Sequence, residues 1–151
     1  MNAIRIQRTG GPEVLSYTRV ERPTPQKDEI LVKNTAIGVN FIDTYHRSGL
    51  YPLQLPQYDN DSSIHSNCSI LGREGAGEVV AVGSDVHDFA EGDRVAYVLS
   101  PGAYAEYTTV SVKHVARVPA SVSLEHAAAV LLQGLTAHYL TRSTVWLLHV
   151  I

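Results

Sequence analysis

The sequence predicts a mainly β domain with short helices, in which a partly open antiparallel β-barrel is followed by a helix and one more strand. Short runs of alternating or β-branched residues follow one another along residues 3–118, with turns of a few residues between them. This spacing favours an antiparallel barrel over βαβ units. From residue 123 onward, a run that is rich in Ala and Leu and free of proline indicates a helix instead.

Three strands are expected before the first helix, at residues 3–8, 14–20 and 29–39. The first strand alternates between apolar and polar residues, and in the third apolar residues are interspersed with polar ones. The second strand is expected to end before Pro23 and Pro25. Turn-forming Gly and Pro residues separate the strands. Such short, closely spaced strands are typical of a small barrel.

A short helix is expected to begin after Asn40. Asparagine is a favoured N-cap residue, and Asp43 lies in the first turn, where the helix dipole favours a carboxylate. Gly49 suits the position just past the helix end, and Arg47 lies near the negative end of the dipole. Because Pro52 cannot continue a helix, the signals bound the element on both sides.

The middle of the chain divides into an irregular stretch and a series of strands. Residues 53–70 are polar and rich in turn-forming residues, so we expect an exposed loop. Within this loop His65 and Cys68 are potential metal ligands, but two are too few for a site. Further strands are expected at residues 78–82, 94–98, 102–110 and 114–118.

The C-terminal residues change in character. Ser123 is a suitable helix cap with Glu125 in the first turn, and the expected helix runs through Leu140. Gly134 inside this helix costs about 1 kcal/mol relative to alanine, a cost that a close contact would justify. Residues 145–151 form an apolar run that is typical of a buried strand.

Composition and charge argue against several functional classes. The 151 residues carry a net charge of −3, and their Lys and Arg residues are scattered, which argues against a nucleic-acid partner. No apolar run approaches the ~20 residues that span a bilayer, and the first residues lack the apolar core of a signal peptide. The single cysteine, Cys68, indicates a reducing compartment. We therefore expect a cytoplasmic protein without a membrane partner.

Three motifs resemble those of a known family. Residues 72–95 read G-x-E-G-A-G-x-V-x-x-V-G-x-x-V-x-x-F-x-x-G-D-R-V, which is similar to the N-terminal signature of the medium-chain dehydrogenase/reductase superfamily. Residues 40–52 and residues 133–137 resemble the quinone oxidoreductase (zeta-crystallin-like) branch of that superfamily. The resemblance covers residues 1–143.

This resemblance implies a division of the chain. Residues 1–122 would form a GroES-like domain on the substrate side, and residues 123–151 would supply a helix and the first strand of a Rossmann, dinucleotide-binding domain. A G-x-G-x-x-G turn that follows a strand and opens a helix does not occur in the sequence. Compared with the family, the chain is therefore expected to be a truncated N-terminal part.

The resemblance also bears on zinc. Zinc-dependent relatives carry a cysteine where this chain has Asn40, and a histidine where it has Arg73. An amide oxygen is a poor zinc ligand and a guanidinium group is none. The expected protein binds no zinc, so hydrogen bonds would polarise the carbonyl of a substrate. Arg73 and Glu74 are expected to be structural, with Glu74 accepting backbone N–H groups.

Five side chains are candidates for the site. By resemblance, Asn40 and Tyr45 would be catalytic and orient the acceptor, while Tyr45 and Tyr51 would bind it. Asn40 would also contact the cofactor, together with Gln133 and Thr136 on one face of the C-terminal helix. The residue types alone leave other roles open: a helix cap for the asparagine, core or loop packing for the tyrosines, and an ordinary polar helix surface for the last two.

The function that the resemblance implies is an NADPH-dependent quinone reductase, which transfers hydride to quinones or related enones. In a truncated chain, binding of NADPH is expected to be weak or absent. The alternative is a non-catalytic GroES-like domain that acts, if at all, through a partner. Partly exposed apolar residues near the C-terminus are expected to favour association into homo-oligomers. These residues are Leu131, Leu132, Leu135, Trp146, Leu147 and Leu148.

Overall fold

The structure is a computed structural model that describes residues 1–52 and 69–144. Its described part contains eight strands and two α-helices, which we number in chain order. The elements are β1 (Asn2–Ile6), β2 (Ser16–Arg19), β3 (Glu29–Ile37), α1 (Phe41–Ser48), β4 (Ser69–Ile70), β5 (Glu74–Val82), β6 (Arg94–Val98), β7 (Tyr107–Ser111), β8 (Val115–Arg117) and α2 (Leu124–His138).

The strands form two antiparallel sheets. One has the order β2-β1-β4, and the other has the order β7-β3-β5-β6-β8. An antiparallel bridge between Ala3 and Ala105, together with a 2.8 Å hydrogen bond from the Ile4 N–H to the Tyr104 carbonyl, links β1 to the segment that leads into β7. The prediction of a mainly β, partly open antiparallel barrel is therefore confirmed.

The core lies on both faces of the larger sheet, because successive side chains of a strand point to opposite faces. Val95 and Tyr97 of β6 belong to a cluster that fills the barrel side. Ala96, between them, belongs to a second cluster with Ala127 and Ala128 of α2. Small side chains at this contact let α2 lie close against the sheet.

Several strand ends differ from the prediction, because turns take up residues at their ends. Residues Pro12–Val14 form a 3₁₀ turn, so β2 begins at Ser16. Residues Val112–His114 form another, so β8 begins at Val115. Before β7 the N–H groups of residues 102–104 bond to the loop that precedes β5, as in the 2.8 Å hydrogen bond from Tyr104 N–H to Leu71 O, and the bridge to β1 follows at Ala105.

The glycine-rich strand β5 begins earlier than expected, at Glu74. Gly75 and Gly77 thus lie within the strand and not in a turn before it. A Cβ at Gly77 would overlap the backbone carbonyl of Lys33 on β3. Glycine is needed here because the two backbones approach closely, next to an irregular register in the β3–β5 pair.

Both helices follow their predicted signals. The backbone N–H of Asn40 donates to Oδ2 of Asp43 at 2.9 Å, and Gly49 ends α1 in the left-handed region at φ 82°. The hydroxyl of Ser123 accepts from the His126 N–H at 3.1 Å, which caps α2. The regular helix ends at His138 and continues as one π-helical turn, in place of running through residue 140.

Some expectations fall outside the described residues. These concern most of the loop at residues 53–70, with His65 and Cys68, and the strand at residues 145–151. Within residues 1–52 and 69–144, no helix has the length and apolarity of a membrane span.

Candidate functional site

Glu74 connects the two helices from the buried start of β5. Its side chain is 1% exposed. One carboxylate oxygen accepts from the amide of Asn40 at 2.9 Å, and the other accepts from the backbone N–H of Leu132 in α2, also at 2.9 Å. The expected acceptance of a backbone N–H is confirmed, although the donor lies in a helix and not in a loop. Glu74 therefore fixes the start of α1 relative to α2.

Asn40 and Gln133 meet in this network. The side-chain oxygen of Asn40 accepts from Nε2 of Gln133 at 3.5 Å, while its amide nitrogen donates to Glu74. Thr136 lies one turn further along α2, and its hydroxyl donates to the Leu132 carbonyl at 2.8 Å. The fold thus brings Asn40 and Gln133 together, which were both predicted to contact the cofactor. The hydroxyl of Thr136, the third predicted contact, bonds within its own helix.

The predicted tyrosines form an aromatic cluster on α1. The ring centroids of Tyr45 and Tyr51 are 5.3 Å apart in an edge-to-face arrangement, and Phe41 lies 6.4 Å from Tyr45. Phe41 is 80% exposed and Tyr51 is 50% exposed, so the cluster is not part of the core. Phe41 was missed as a site candidate, although its i, i+4 spacing from Tyr45 places both on one helix face.

A buried carboxylate lies on the opposite side of α1. Asp43 is 3% exposed, and its Oδ2 accepts both from the Asn40 N–H and from the hydroxyl of Tyr104, the latter at 2.8 Å. Burial, the hydrogen bond to Asp43 and the charge of that carboxylate raise the pKa of Tyr104 well above its usual range. Tyr104 therefore stays protonated and acts as a hydrogen-bond donor that anchors the helix.

A cavity of about 480 Å³ lies beside α1. Its polar wall contains Arg73 and His46, whose Nη1 and Nε2 atoms are 3.3 Å apart. Because a guanidinium group can only donate, His46 accepts at Nε2 and carries its proton on Nδ1. Nη2 of Arg73 also donates to the carbonyl of Leu99 at 3.0 Å. Sequence reasoning missed this pair, since nothing local brings residues 46 and 73 together.

The surface of α2 near Gln133 is open. A Cβ at Gly134 would meet no protein atom within 4 Å, so the expected close contact is absent from the described residues. The leucines of α2 expected to be partly exposed are so: Leu135 is 51% exposed, and Leu131 and Leu132 are half-buried. Trp146, Leu147 and Leu148 lie outside the described residues.

The comparison with protein families decides where this chain belongs. Residues 26–120 match the alcohol dehydrogenase GroES-like domain family. The chain belongs to this family. This match agrees with the motifs at residues 40–52 and 133–137, which resemble the quinone oxidoreductase branch.

Several relatives of this GroES-like domain are quinone oxidoreductases. Over 143 residues, it is 48% identical to the quinone oxidoreductase of Pseudomonas aeruginosa, covering 93% of this chain and 40% of that protein. The solved quinone oxidoreductase of Pseudomonas syringae superimposes with a TM-score of 0.84 at 47% identity, covering 95% of this chain and 41% of that one. The Escherichia coli quinone oxidoreductase in complex with NADPH also gives 0.84, at 44% identity and with the same coverage. The chain spans about 40% of the length of the curated relatives it matches.

Proposed function

We propose that this chain forms the acceptor-binding side of a zinc-independent, NADPH-dependent quinone reductase. The observation that supports this most directly is the network in which Glu74 holds the Asn40 amide against Gln133 of α2. Two residues that resemblance assigned to the site, 93 positions apart, thus lie within hydrogen-bond reach of each other. The relatives named quinone oxidoreductase support the choice of acceptor.

The helix surface beside this network fits a nicotinamide ring. Gln133 is exposed, and within residues 1–52 and 69–144 a Cβ at Gly134 would meet no atom outside the helix backbone within 4 Å. A flat ring has room to lie here, with the Gln133 amide as a hydrogen-bonding group at its edge. Asn40 lies on the side of this surface that faces α1. Bound NADPH would supply the hydride, which with one proton converts a quinone to a hydroquinone.

The acceptor would lie against the aromatic cluster. Tyr45 and Tyr51 offer partly exposed ring faces and edges on which a planar quinone can stack. The Tyr45 hydroxyl would donate a hydrogen bond to the carbonyl oxygen on which negative charge develops. Asn40 would orient the reactants from the neighbouring position at the helix start. Both roles require no metal.

We also propose that the site holds no zinc. Asn40 and Arg73 stand at the two positions where zinc-dependent relatives have ligands, and neither is a suitable donor. Among the described residues, no three His, Cys, Asp or Glu side chains are grouped closely enough to hold a metal ion. Metal analysis of the purified protein is expected to find no zinc; one zinc per chain would contradict the proposal. The single cysteine supports a reducing, cytoplasmic setting.

A calorimetric titration with NADPH tests the function of the chain itself. Binding in the micromolar range or tighter, followed by quinone-dependent oxidation of NADPH, would support the reductase. If no binding is detected, the chain itself does not hold the hydride donor, and the alternative of a non-catalytic domain that acts through a partner is favoured.

Removal of the Tyr45 hydroxyl tests the proposed role of this residue. If the titration shows binding and quinone-dependent oxidation of NADPH, we expect Tyr45→Phe to lower kcat by about 10²-fold, because a donor to the developing oxyanion is removed while the ring contacts with Phe41 and Tyr51 remain. Tyr17→Phe is the matched control, since Tyr17 is 72% exposed on β2. Equal activity of both variants would show that the Tyr45 ring only packs.

A further inference from the structure

We propose that the cavity beside α1, which we call the Arg73 cavity, binds the carboxylate group of a planar unsaturated acid. The acceptor of the reductase would accordingly be a quinone or enone that carries a carboxylate. The statement about hydride acceptance rests on the function proposed above, whereas the binding of a carboxylate does not. Arg73 would be the residue that selects for the charge.

The shape of the cavity suits a small organic molecule. Its volume of about 480 Å³ lies within the range of small-molecule sites, and its wall is mainly apolar with a few polar groups. The apolar part of the wall includes Ile42, Leu71, Leu99 and Pro101. A hydrophobic ring can therefore be buried beside Arg73 and His46.

The polar groups of the wall are short of acceptors. Nε of Arg73 and Nδ1 of His46 are both buried and have no hydrogen-bond partner within residues 1–52 and 69–144. His46 is 7% exposed and carries its proton on Nδ1, so both atoms are donors. Buried donors without acceptors are costly, so an anion in the cavity beside them is favoured over a neutral molecule.

The charge of the wall favours an anion. Arg73 contributes a permanent positive charge, and within residues 1–52 and 69–144 no Asp or Glu side chain lines the cavity. The carboxylate of Asp43, one turn before His46 on α1, does not line the cavity: its Oδ2 accepts from the Asn40 N–H and the Tyr104 hydroxyl, and its buried Oδ1 has no partner among the described residues. The fork of a guanidinium group matches the two oxygens of a carboxylate better than a single carbonyl.

The cavity also adjoins the proposed acceptor site. Tyr51 lines the cavity and at the same time contacts the ring of Tyr45. One molecule can therefore place its carboxylate near Arg73 and its unsaturated part against the aromatic cluster. Leu99, whose φ of 62° is unusual for a residue with a side chain, turns its carbonyl to Arg73 and holds the guanidinium in place.

Binding of cinnamate and of cinnamamide to the chain tests this inference without any hydride donor. Both probes are planar and unsaturated and have nearly the same shape, but only cinnamate carries a charge. We expect calorimetry to show cinnamate binding about tenfold more tightly than cinnamamide, as a charge-assisted bidentate contact implies. Equal affinities, or no binding of either probe at millimolar concentrations, would overturn the proposal.

Two variants test whether Arg73 causes the preference for cinnamate. Arg73→Gln is expected to abolish the preference for cinnamate, so that both probes bind with similar affinity. Arg19→Gln removes an exposed arginine of β2 that does not line the cavity, and it should keep the preference. A preference that persists in a folded Arg73→Gln protein would contradict the assignment. Because NADPH is not used, failure here leaves the reductase proposal standing, and failure of the NADPH titration leaves this one standing.

Discussion

Glu74 is the residue on which the arrangement of the two helices depends. Its two carboxylate oxygens each accept from a different donor, the Asn40 amide and the Leu132 N–H. In Glu74→Gln, one of these oxygens becomes an NH₂ group, which cannot accept, so one buried donor loses its partner. We expect the free energy of unfolding to fall by about 1–3 kcal/mol in urea titrations.

The matched control for Glu74 lies on the same strand. Glu78 of β5 is exposed, so Glu78→Gln should change the unfolding free energy by less than about 0.5 kcal/mol. Equal effects of the two substitutions would mean that the Glu74 hydrogen bonds contribute nothing specific.

Replacement by alanine is expected to change the free energy of unfolding in opposite directions at two glycines in different elements. Gly77 of β5 faces the backbone of β3, where a Cβ would overlap the Lys33 carbonyl. Gly77→Ala must separate the two strands, and we expect a loss of more than about 2 kcal/mol in the same urea titrations. A Cβ at Gly134 of α2 would meet no atom of the described residues outside the helix backbone within 4 Å, so Gly134→Ala should gain about 0.5–1 kcal/mol from helix propensity. The reverse order of stabilities would refute the close approach of β3 and β5.

Elements with local signals were predictable, and those shaped by a neighbouring strand were not. Asn40, Gly49 and Ser123 act at the ends of helices through contacts within a few residues, so the sequence alone located these ends. The start of β5 at Glu74 depends instead on pairing with β6, where Glu74 lies opposite Val98. Glycine has a low strand propensity, which hides this start from a local pattern.

The same distinction applies to the candidate site. Asn40 and Gln133 could be proposed because the motifs around them resemble a family, yet the carboxylate that joins them is visible only in the folded chain. The pairing of His46 with Arg73 has no sequence signal either, since it connects a helix to the residue before a strand. Contacts between distant positions decide these roles.

For the molecule as a whole, the exposed side of α2 bears on association. Leu135 is 51% exposed and Val130 is 59% exposed on this helix. Exposed apolar surface promotes self-association, so light scattering at high protein concentration is expected to detect oligomers. Leu135→Lys should shift the population toward the monomer, whereas Tyr17→Lys on β2 should not. A wild-type protein that stays monomeric would contradict the expectation.

The stability of the whole domain should depend on alkaline pH through its core. Tyr97 is fully buried in the larger cluster, and its hydroxyl donates to the Asn34 side-chain oxygen at 2.9 Å. Burial raises the pKa of Tyr97 from 10.0 to about 12. Between these values the folded protein keeps a proton that the unfolded chain releases. The stabilisation is therefore complete below pH 10 and is lost as the pH rises toward 12.

The size of this loss follows from the shift in pKa. Two pKa units correspond to about 2–3 kcal/mol, which we expect urea titrations at about pH 9 and about pH 11.5 to detect in large part. Tyr97→Phe should have a lower unfolding free energy at pH 9, because Asn34 loses its donor, and should lose less over the same interval. Part of the slope will remain in this variant, because the pKa of Tyr104 is raised as well. An identical loss in both proteins would show that Tyr97 ionises as readily in the folded state as in the unfolded chain, and that the barrel core does not exclude water from its hydroxyl.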